Sequence, residues 1–525
     1  MLRARLIADP HIKKQILWLI AIASAVRLLL AAQLELGNDE VYYWTYVRYP
    51  DWSHFDHPPM VGIIGQLFSL NLLLKSDFFL RLGPIVLSAV SIWIIFLVGK
   101  KIKDERTGLF AAYLFTGSVY GFIISGFSFI PDSPLVFFWL LAIYWIVDFL
   151  LAEKITQTEK RKILWFGLVA GLAMLSKYQG AFLWIGVFIY VICYHRAWLR
   201  QPSFYLAGII SAVVLLPVVI WNVQNDFISF TFHSERVTPS WQFRPDYLLT
   251  ELGGQLAYNN PIVYVLIIIA IIAWIKGKTF LDKKTARMLG VLAAPLWIIF
   301  TSFSVFRSTL PHWTAPAFLS LILFAAAYWS NEEDKRRAIF WVRLPVYFLS
   351  VLIVIAFWLV DFSPLQVGKN SDQVSFGEND FTQDIYGWSQ IGESFKKISA
   401  REEASGSMPK EAALISNKWF PGAHLDFYVA QPSQRKLFLI GPMNDLHKYA
   451  WVNEERGGLE KGKDYYHIAV SNLYKDPHEL FGSYFEKILP MDTVQITRGG
   501  KTVRYAFFYK LKNYRGNFVN PLPYH

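Results

Sequence analysis

About eleven long apolar runs dominate this chain, at roughly 15–34, 79–99, 108–127, 133–152, 163–176, 180–194, 203–221, 258–275, 288–305, 314–330 and 338–360. A helix needs about 20 apolar residues to cross the hydrocarbon of a bilayer, and several of these runs reach that length. Inside lipid the backbone must bond to itself, so a single continuous run can span only as a helix. The strands of a membrane barrel would instead alternate apolar and polar residues. Only 17% of the 525 residues are charged and 54% are hydrophobic, against about 25% charged in a soluble domain. The expectation is a polytopic α-helical membrane protein.

Charge sets the expected orientation. The formal net charge is +11, and the basic residues lie scattered over short loops. That pattern fits membrane topology and gives no reason to invoke nucleic acid. With a cytoplasmic N-terminus, the inner loops hold Lys100, Lys101, Lys103 and Arg106, then Lys154, Lys160, Arg161 and Lys162, and three later clusters ending at Lys335, Arg336 and Arg337. The outer loops hold only Arg48, Lys75, Lys177, Arg236, Arg244 and Arg307. Lysine and arginine collect on the cytoplasmic side, so the first loop (35–78) and, with an odd number of spans, the C-terminal tail are expected outside. The one cysteine, Cys193, excludes an internal disulfide and a cysteine metal cluster. No cleavable signal peptide is evident at the first run.

The chain divides by composition into a membrane domain, 1–361, and a soluble tail, 362–525. The tail carries strand-like runs at Ala412–Ile415, Lys436–Ile440 and His467–Val470. Thr493–Thr497 and Thr502–Leu511 flank Arg498-Gly499-Gly500-Lys501, a hairpin signal because Gly-Gly supplies the positive φ angles of a two-residue turn. A small α/β domain is expected there. Pro58-Pro59 opens a piece at 60–74 suited to the membrane interface.

The polar residues that could carry chemistry concentrate at the expected outer ends of helices. Asp39, Glu40, His54, Asp56 and His57 occupy the first loop; Asp132 follows Pro131; Lys177 ends the run at 163–176; Asp226, His233, Glu235 and Arg236 follow residue 221; Arg307, His312 and Trp313 precede the run at 314–330. Plainer readings compete. Asp39 and Glu40 suit the first turn of any helix, Asp132 before Ser-Pro suits a helix start, and Lys177 could snorkel to the interface. Lys177 is nevertheless the sole lysine of its outer hairpin, against the charge bias. Arg27 and Arg81 sit inside apolar runs, where pairing with acidic groups is expected.

Carboxylates and cations at a lipid boundary suit sugar transfer from a lipid phosphate. The phosphate leaves as a stable anion and wants cations, and the incoming hydroxyl wants a carboxylate base. The paired acid and base of a glycoside hydrolase fits less well, because there the leaving alcohol must be protonated.

The ordered set Gly37-Asn38-Asp39-Glu40-Val41-Tyr42-Tyr43, Asp56-His57-Pro58-Pro59, Pro131-Asp132, Gly171–Tyr178 and Pro311–Ala317 resembles the GT-C membrane glycosyltransferases of the aminoarabinose transferase and protein O-mannosyltransferase group. Asp384–Trp388 in the tail resembles one branch of it. The resemblance implies a polyprenyl-phosphate-sugar donor, an inverting transfer, and an acceptor hydroxyl on a lipid, glycan or protein at the outer face of the inner membrane. It places Asp39 at the catalytic acid/base position, Glu40 as its acidic neighbour and Asp132 as a second acidic position. It implies Lys177 as the phosphate contact, with His57, Arg307 and His312 as further candidates. At His57 the aminoarabinose transferases carry a lysine, and a histidine is only partly charged at neutral pH. Metal dependence is left open, with His233 and Glu235 as weak candidate ligands. The rival reading is a transporter or flippase of lipid-linked sugars, which would favour internal repeats and mid-membrane ionisable groups. A sugar-binding accessory protein is a third.

Overall fold

A computed structural model describes residues 10–237 and 242–523. Among the described residues fifteen α-helices run through the first part of the chain: α1 (Pro10–Gln33), α2 (Asn38–Arg48), α3 (Met60–Phe68), α4 (Asp77–Ile102), α5 (Glu105–Gly117), α6 (Asp132–Leu150), α7 (Gln157–Ser176), α8 (Ala181–Tyr194), α9 (Pro202–Gln224), α10 (Ile228–Val237), α11 (Pro245–Tyr258), α12 (Pro261–Ile275), α13 (Lys283–Phe303), α14 (Ala315–Ser330) and α15 (Lys335–Asp361). Every one of the eleven expected runs is helical. Among the described helices, six are long and apolar enough to cross a membrane alone, α1, α4, α6, α9, α13 and α15. The number is seven if α11 and α12, which meet at a 100° bend, form one broken span. The expected apolar runs are thus helical, but among the described helices six or seven, not about eleven, are long and apolar enough to cross, and α8 and α14 are shorter apolar helices.

Packing divides the chain into two compact units. The first is residues 1–29 with 51–352; the second is 30–50 with 353–525. Residues 30–50, the last turn of α1 and the segment that carries α2, thus pack with the C-terminal tail.

In the first unit, polar side chains fasten the helices where the backbone departs from regularity. The end of α5 passes into a π turn at Tyr120–Ile124, which frees carbonyls that a regular helix would use. Arg27 of α1, wholly buried, donates from Nε to Phe122 O (3.0 Å) and from Nη2 to Gly121 O (3.2 Å), and lies 4.2 Å from the Phe122 ring. An acidic partner was expected; backbone carbonyls of the π turn take that role instead. A Cβ on Gly126 would sit 2.6 Å from Arg27 Nη2, so only glycine leaves room for the guanidinium. Arg81 lies over the Phe127 ring at 4.5 Å.

In the second unit the tail forms a five-stranded sheet, β1 (Leu414–Ser416), β2 (Leu437–Leu439), β3 (Tyr465–Val470), β4 (Phe485–Arg498) and β5 (Lys501–Tyr514), in the order β2-β1-β3-β5-β4. The pairs β1/β2 and β1/β3 are parallel; β3/β5 and β4/β5 are antiparallel. Helix α16 (Trp388–Ala404) precedes the sheet; parallel neighbours need crossovers, and helix α17 (Trp419–Leu425) lies in the connection from β1 to β2. The expected hairpin is present: Arg498 pairs with Lys501, and Gly499 and Gly500 take φ of 55° and 76°, as a two-residue turn demands. Phe485, Ile488, Tyr465, Leu511 and Tyr514 bury one core of this domain.

Candidate functional site

Within the first unit, α6 begins where α7 ends. Asp132 is the first residue of α6, and Lys177 caps the C-terminus of α7 with extended backbone. A carboxylate at a helix N-terminus and an ammonium at a C-terminus each suit the local dipole. The two meet: Lys177 Nζ donates to Asp132 Oδ2 at 2.7 Å, and each side chain is only 3% exposed. The other oxygen, Oδ1, accepts from Tyr120 Oη at 3.0 Å. Tyr120 opens the π turn that Arg27 holds, so the pair is braced from a third helix. The expectation singled out neither Tyr120 nor the function of Arg27; an arginine inside an apolar run was the available signal.

Three other expected residues, His57, His312 and His233, interact electrostatically with this pair. His57 feels both Lys177 and Asp132. Burial pushes its imidazole down to about 3, against a smaller upward pull from Asp56. It is a neutral group near pH 7 and cannot serve as a fixed cation. His312 lies in the 3-10 turn Pro311–Trp313 and is likewise pushed down to about 4, by burial first and then by Lys177. The His233 ring stands 5.9 Å from that of His57 and 5.2 Å from Tyr178, and its Nε2 is 2.6 Å from Asp56 O. Asp51 Oδ2 accepts from Trp221 Nε1 at 2.7 Å, and His54 O accepts from Ser229 Oγ at 2.9 Å. The first loop is thereby sewn to α9 and α10. Arg307 is half-buried just after α13, its N–H on Phe303 O. Glu235 is exposed on α10.

Among the described residues no group of three or more His, Cys, Asp and Glu is placed to hold a metal ion. His233 and Glu235 do not form a ligand set, and no step is assigned to a metal.

A second buried carboxylate escaped the sequence reading. Glu251 of α11 is 1% exposed. It accepts from Thr309 Oγ1 (2.8 Å), Thr314 Oγ1 (3.3 Å) and Gln255 Nε2 (2.8 Å). Pro311 packs so closely on Gly254 that a Cβ there would sit 2.1 Å from its ring. These contacts bind α11 to the segment that carries His312. Glu251 sits within a moderately apolar stretch with no motif around it, which is why spacing alone did not flag it.

The acidic pair of the first loop belongs to the second unit and its two members differ. Glu40 is buried, and its Oε2 accepts the Gly37 N–H at 2.9 Å, capping α2. Asp39 is exposed on the first turn of the same helix. Glu40 through Val47 are all buried. The tail surrounds them: Glu35 accepts from the N–H groups of Trp388 (2.8 Å) and Ser389 (2.9 Å), Leu36 N–H donates to Tyr428 Oη (2.6 Å), and Leu36 O is 3.0 Å from His424 Nε2. Trp44 packs edge-on to Phe427 at 5.3 Å, and Arg456 bridges Tyr49 Oη (2.8 Å) and Asp426 Oδ2 (2.7 Å).

Comparison with known proteins places these features. Residues 56–221, which contain His57, Asp132 and Lys177, match the family described as dolichyl-phosphate-mannose-protein mannosyltransferase. The lipid A galacturonosyltransferase RgtD of Rhizobium johnstonii is 24% identical over 298 residues, 55% of this chain and 59% of that protein; the chain thus spans less than two thirds of that relative. The crystal structure of ArnT from Cupriavidus metallidurans in the apo state superposes with a TM-score of 0.62 at 12% identity, covering 94% of this chain and 98% of ArnT. The same protein bound to undecaprenyl phosphate gives 0.60 at 13%, covering 94% and 97%. The chain has the polytopic helical fold of ArnT, with its C-terminal soluble domain, and resembles the GT-C membrane glycosyltransferases of the ArnT and protein mannosyltransferase group.

Proposed function

We propose that this protein is an inverting glycosyltransferase of the bacterial inner membrane that moves a sugar from a polyprenyl phosphate to a hydroxyl group, with a lipid as the favoured acceptor. The observation that carries this reading is the buried Lys177–Asp132 pair, braced by Tyr120, inside the segment that matches the mannosyltransferase family. The names of RgtD and of the undecaprenyl-phosphate complex of ArnT support the lipid acceptor and the donor class. The charge bias of the loops supports a cytoplasmic N-terminus and an outward-facing tail.

Asp39 takes the proton from the acceptor hydroxyl, whose oxygen bonds to the anomeric carbon as the bond to the phosphate oxygen breaks. The polyprenyl phosphate departs as an anion. Lys177 stabilises it, since an ammonium has three donors and Asp132 uses one. Asp132 holds the ammonium in place, and Glu40 caps the helix that presents Asp39. His57 and His312 stay neutral and act as hydrogen-bonding groups, and Arg307 supplies further positive charge.

The test is direct. Purified full-length protein in detergent is incubated with a lipid extract of bacterial envelopes, and mass spectrometry follows free polyprenyl phosphate and sugar-bearing acceptor. Release of the phosphate with a new glycosidic bond is expected, and Asp39→Asn removes both. If no polyprenyl phosphate is released and no new glycosidic bond forms, the glycosyltransferase reading fails and the transporter reading is favoured.

A further inference from the structure

The helix that carries Asp39 touches an unusual corner of the tail. His447 follows a short helix, Met443–Leu446, and takes φ 51°, ψ −134°. A positive φ of this kind favours glycine, and a bulky side chain there is strained unless its surroundings hold it. Its surroundings are aromatic. The imidazole stacks on Trp419 at 5.4 Å and 22°, and meets Tyr42 edge-on at 5.8 Å. Tyr42 packs on Trp419 at 5.1 Å. The next residue, Lys448, is wholly buried and donates its backbone N–H to Tyr42 Oη at 3.3 Å. Tyr42 lies one turn beyond Asp39 on α2, so the corner grips the helix close to its exposed carboxylate.

We propose that His447, with Trp419, is a positioning element of the tail that fixes α2 and thereby aims Asp39. The tail then acts on the reaction through helix orientation, with no contact to substrate required of it. The His447 ring completes a stack with Trp419 and Tyr42 that glycine at this position would leave open. The proposal rests on the assignment of Asp39 as base. It extends that assignment to residues more than 370 positions away in the chain.

The experiment uses the full-length protein in detergent and three readouts: the rate of polyprenyl phosphate release from the envelope lipid extract, the affinity for undecaprenyl phosphate, and amide hydrogen exchange of residues 41–47. His447→Gly relaxes the backbone, so the fold is kept. Its release rate is expected to fall about 10- to 100-fold, as for a misplaced catalytic group, with undecaprenyl phosphate affinity within about 2-fold and with faster exchange along α2. His447→Phe restores a ring and is expected within about 3-fold of the wild-type rate. A wild-type rate in His447→Gly overturns the proposal. So does a lost rate with unchanged exchange in α2, and so does His447→Phe as impaired as His447→Gly, which would mean that the imidazole itself does chemistry. If the wild-type protein releases no polyprenyl phosphate, the glycosyltransferase reading fails instead, and the exchange comparison still decides whether His447 fixes α2.

Discussion

Lys177 and Asp132 close a salt bridge of 2.7 Å in which each side chain is almost wholly enclosed. Taking both charges out of water is costly, and removing one partner leaves the other charge stranded. Asp132→Asn or Lys177→Met alone should therefore destabilise the protein by about 3–5 kcal/mol. The double substitution should cost less than the sum of the two, because neither charge is left behind. Thermal melts in one detergent measure this cycle, and strict additivity would argue against a coupled pair.

The acidic neighbours of the first loop should separate by phenotype. Asp39→Asn is expected to lower turnover by about 10²–10⁴-fold, the range for a lost general base, with little change in melting temperature because Asp39 is exposed. Glu40→Gln removes a buried carboxylate from the Gly37 N–H. It should cost stability of about 1 kcal/mol, as other helix caps do, and reduce activity only modestly. Equal loss of activity in the two variants would contradict the division of labour.

Buried neutral histidines make the fold acid-sensitive. Burial pushes His57 and His424 down to about 3, and His312 and His467 down to about 4. Between these values and the ordinary 6.5 the unfolded chain binds protons that the folded one refuses, so stability falls as pH drops through that window. Each such group contributes a slope of up to about 1.4 kcal/mol per pH unit. Melting temperature should decline from pH 7 to pH 5, and His467→Gln should flatten the decline. His57→Lys, by contrast, should raise undecaprenyl phosphate affinity at pH 7, since the native imidazole carries no charge there.

Glu251 tests the link between α11 and the His312 segment. Glu251→Ala takes the carboxylate acceptor from Thr309 Oγ1, while Thr314 Oγ1 keeps Pro311 O and Gln255 Nε2 keeps Thr301 Oγ1; a buried polar group left unpaired costs about 1–3 kcal/mol. The variant should melt several degrees lower and show weaker donor binding through displacement of His312. Glu251→Gln keeps an acceptor for one hydroxyl and should fall between the wild type and Glu251→Ala. Intact donor affinity in Glu251→Ala would leave α11 a purely structural helix.

The sequence by itself determined the class of fold. Long apolar runs favour helix in lipid, and the eleven runs are helical, six or seven of the described helices being long enough to cross; the Gly499-Gly500 turn and the strands it joins followed from local backbone chemistry. It also singled out Asp132 and Lys177 from their places at helix ends, though as separate candidates. Only the tertiary structure decided that these two face each other, that Arg27 binds the carbonyls of a π turn instead of an acid, that Glu40 is a cap while Asp39 is exposed, and that residues 30–50 pack with the tail. The physical reason is range. Hydrophobic periodicity and turn preference act over a few residues and are written in adjacent letters. Burial, the pairing of charges 45 residues apart and the fit of Tyr42 against His447, 405 residues away, arise only when the chain has closed around them.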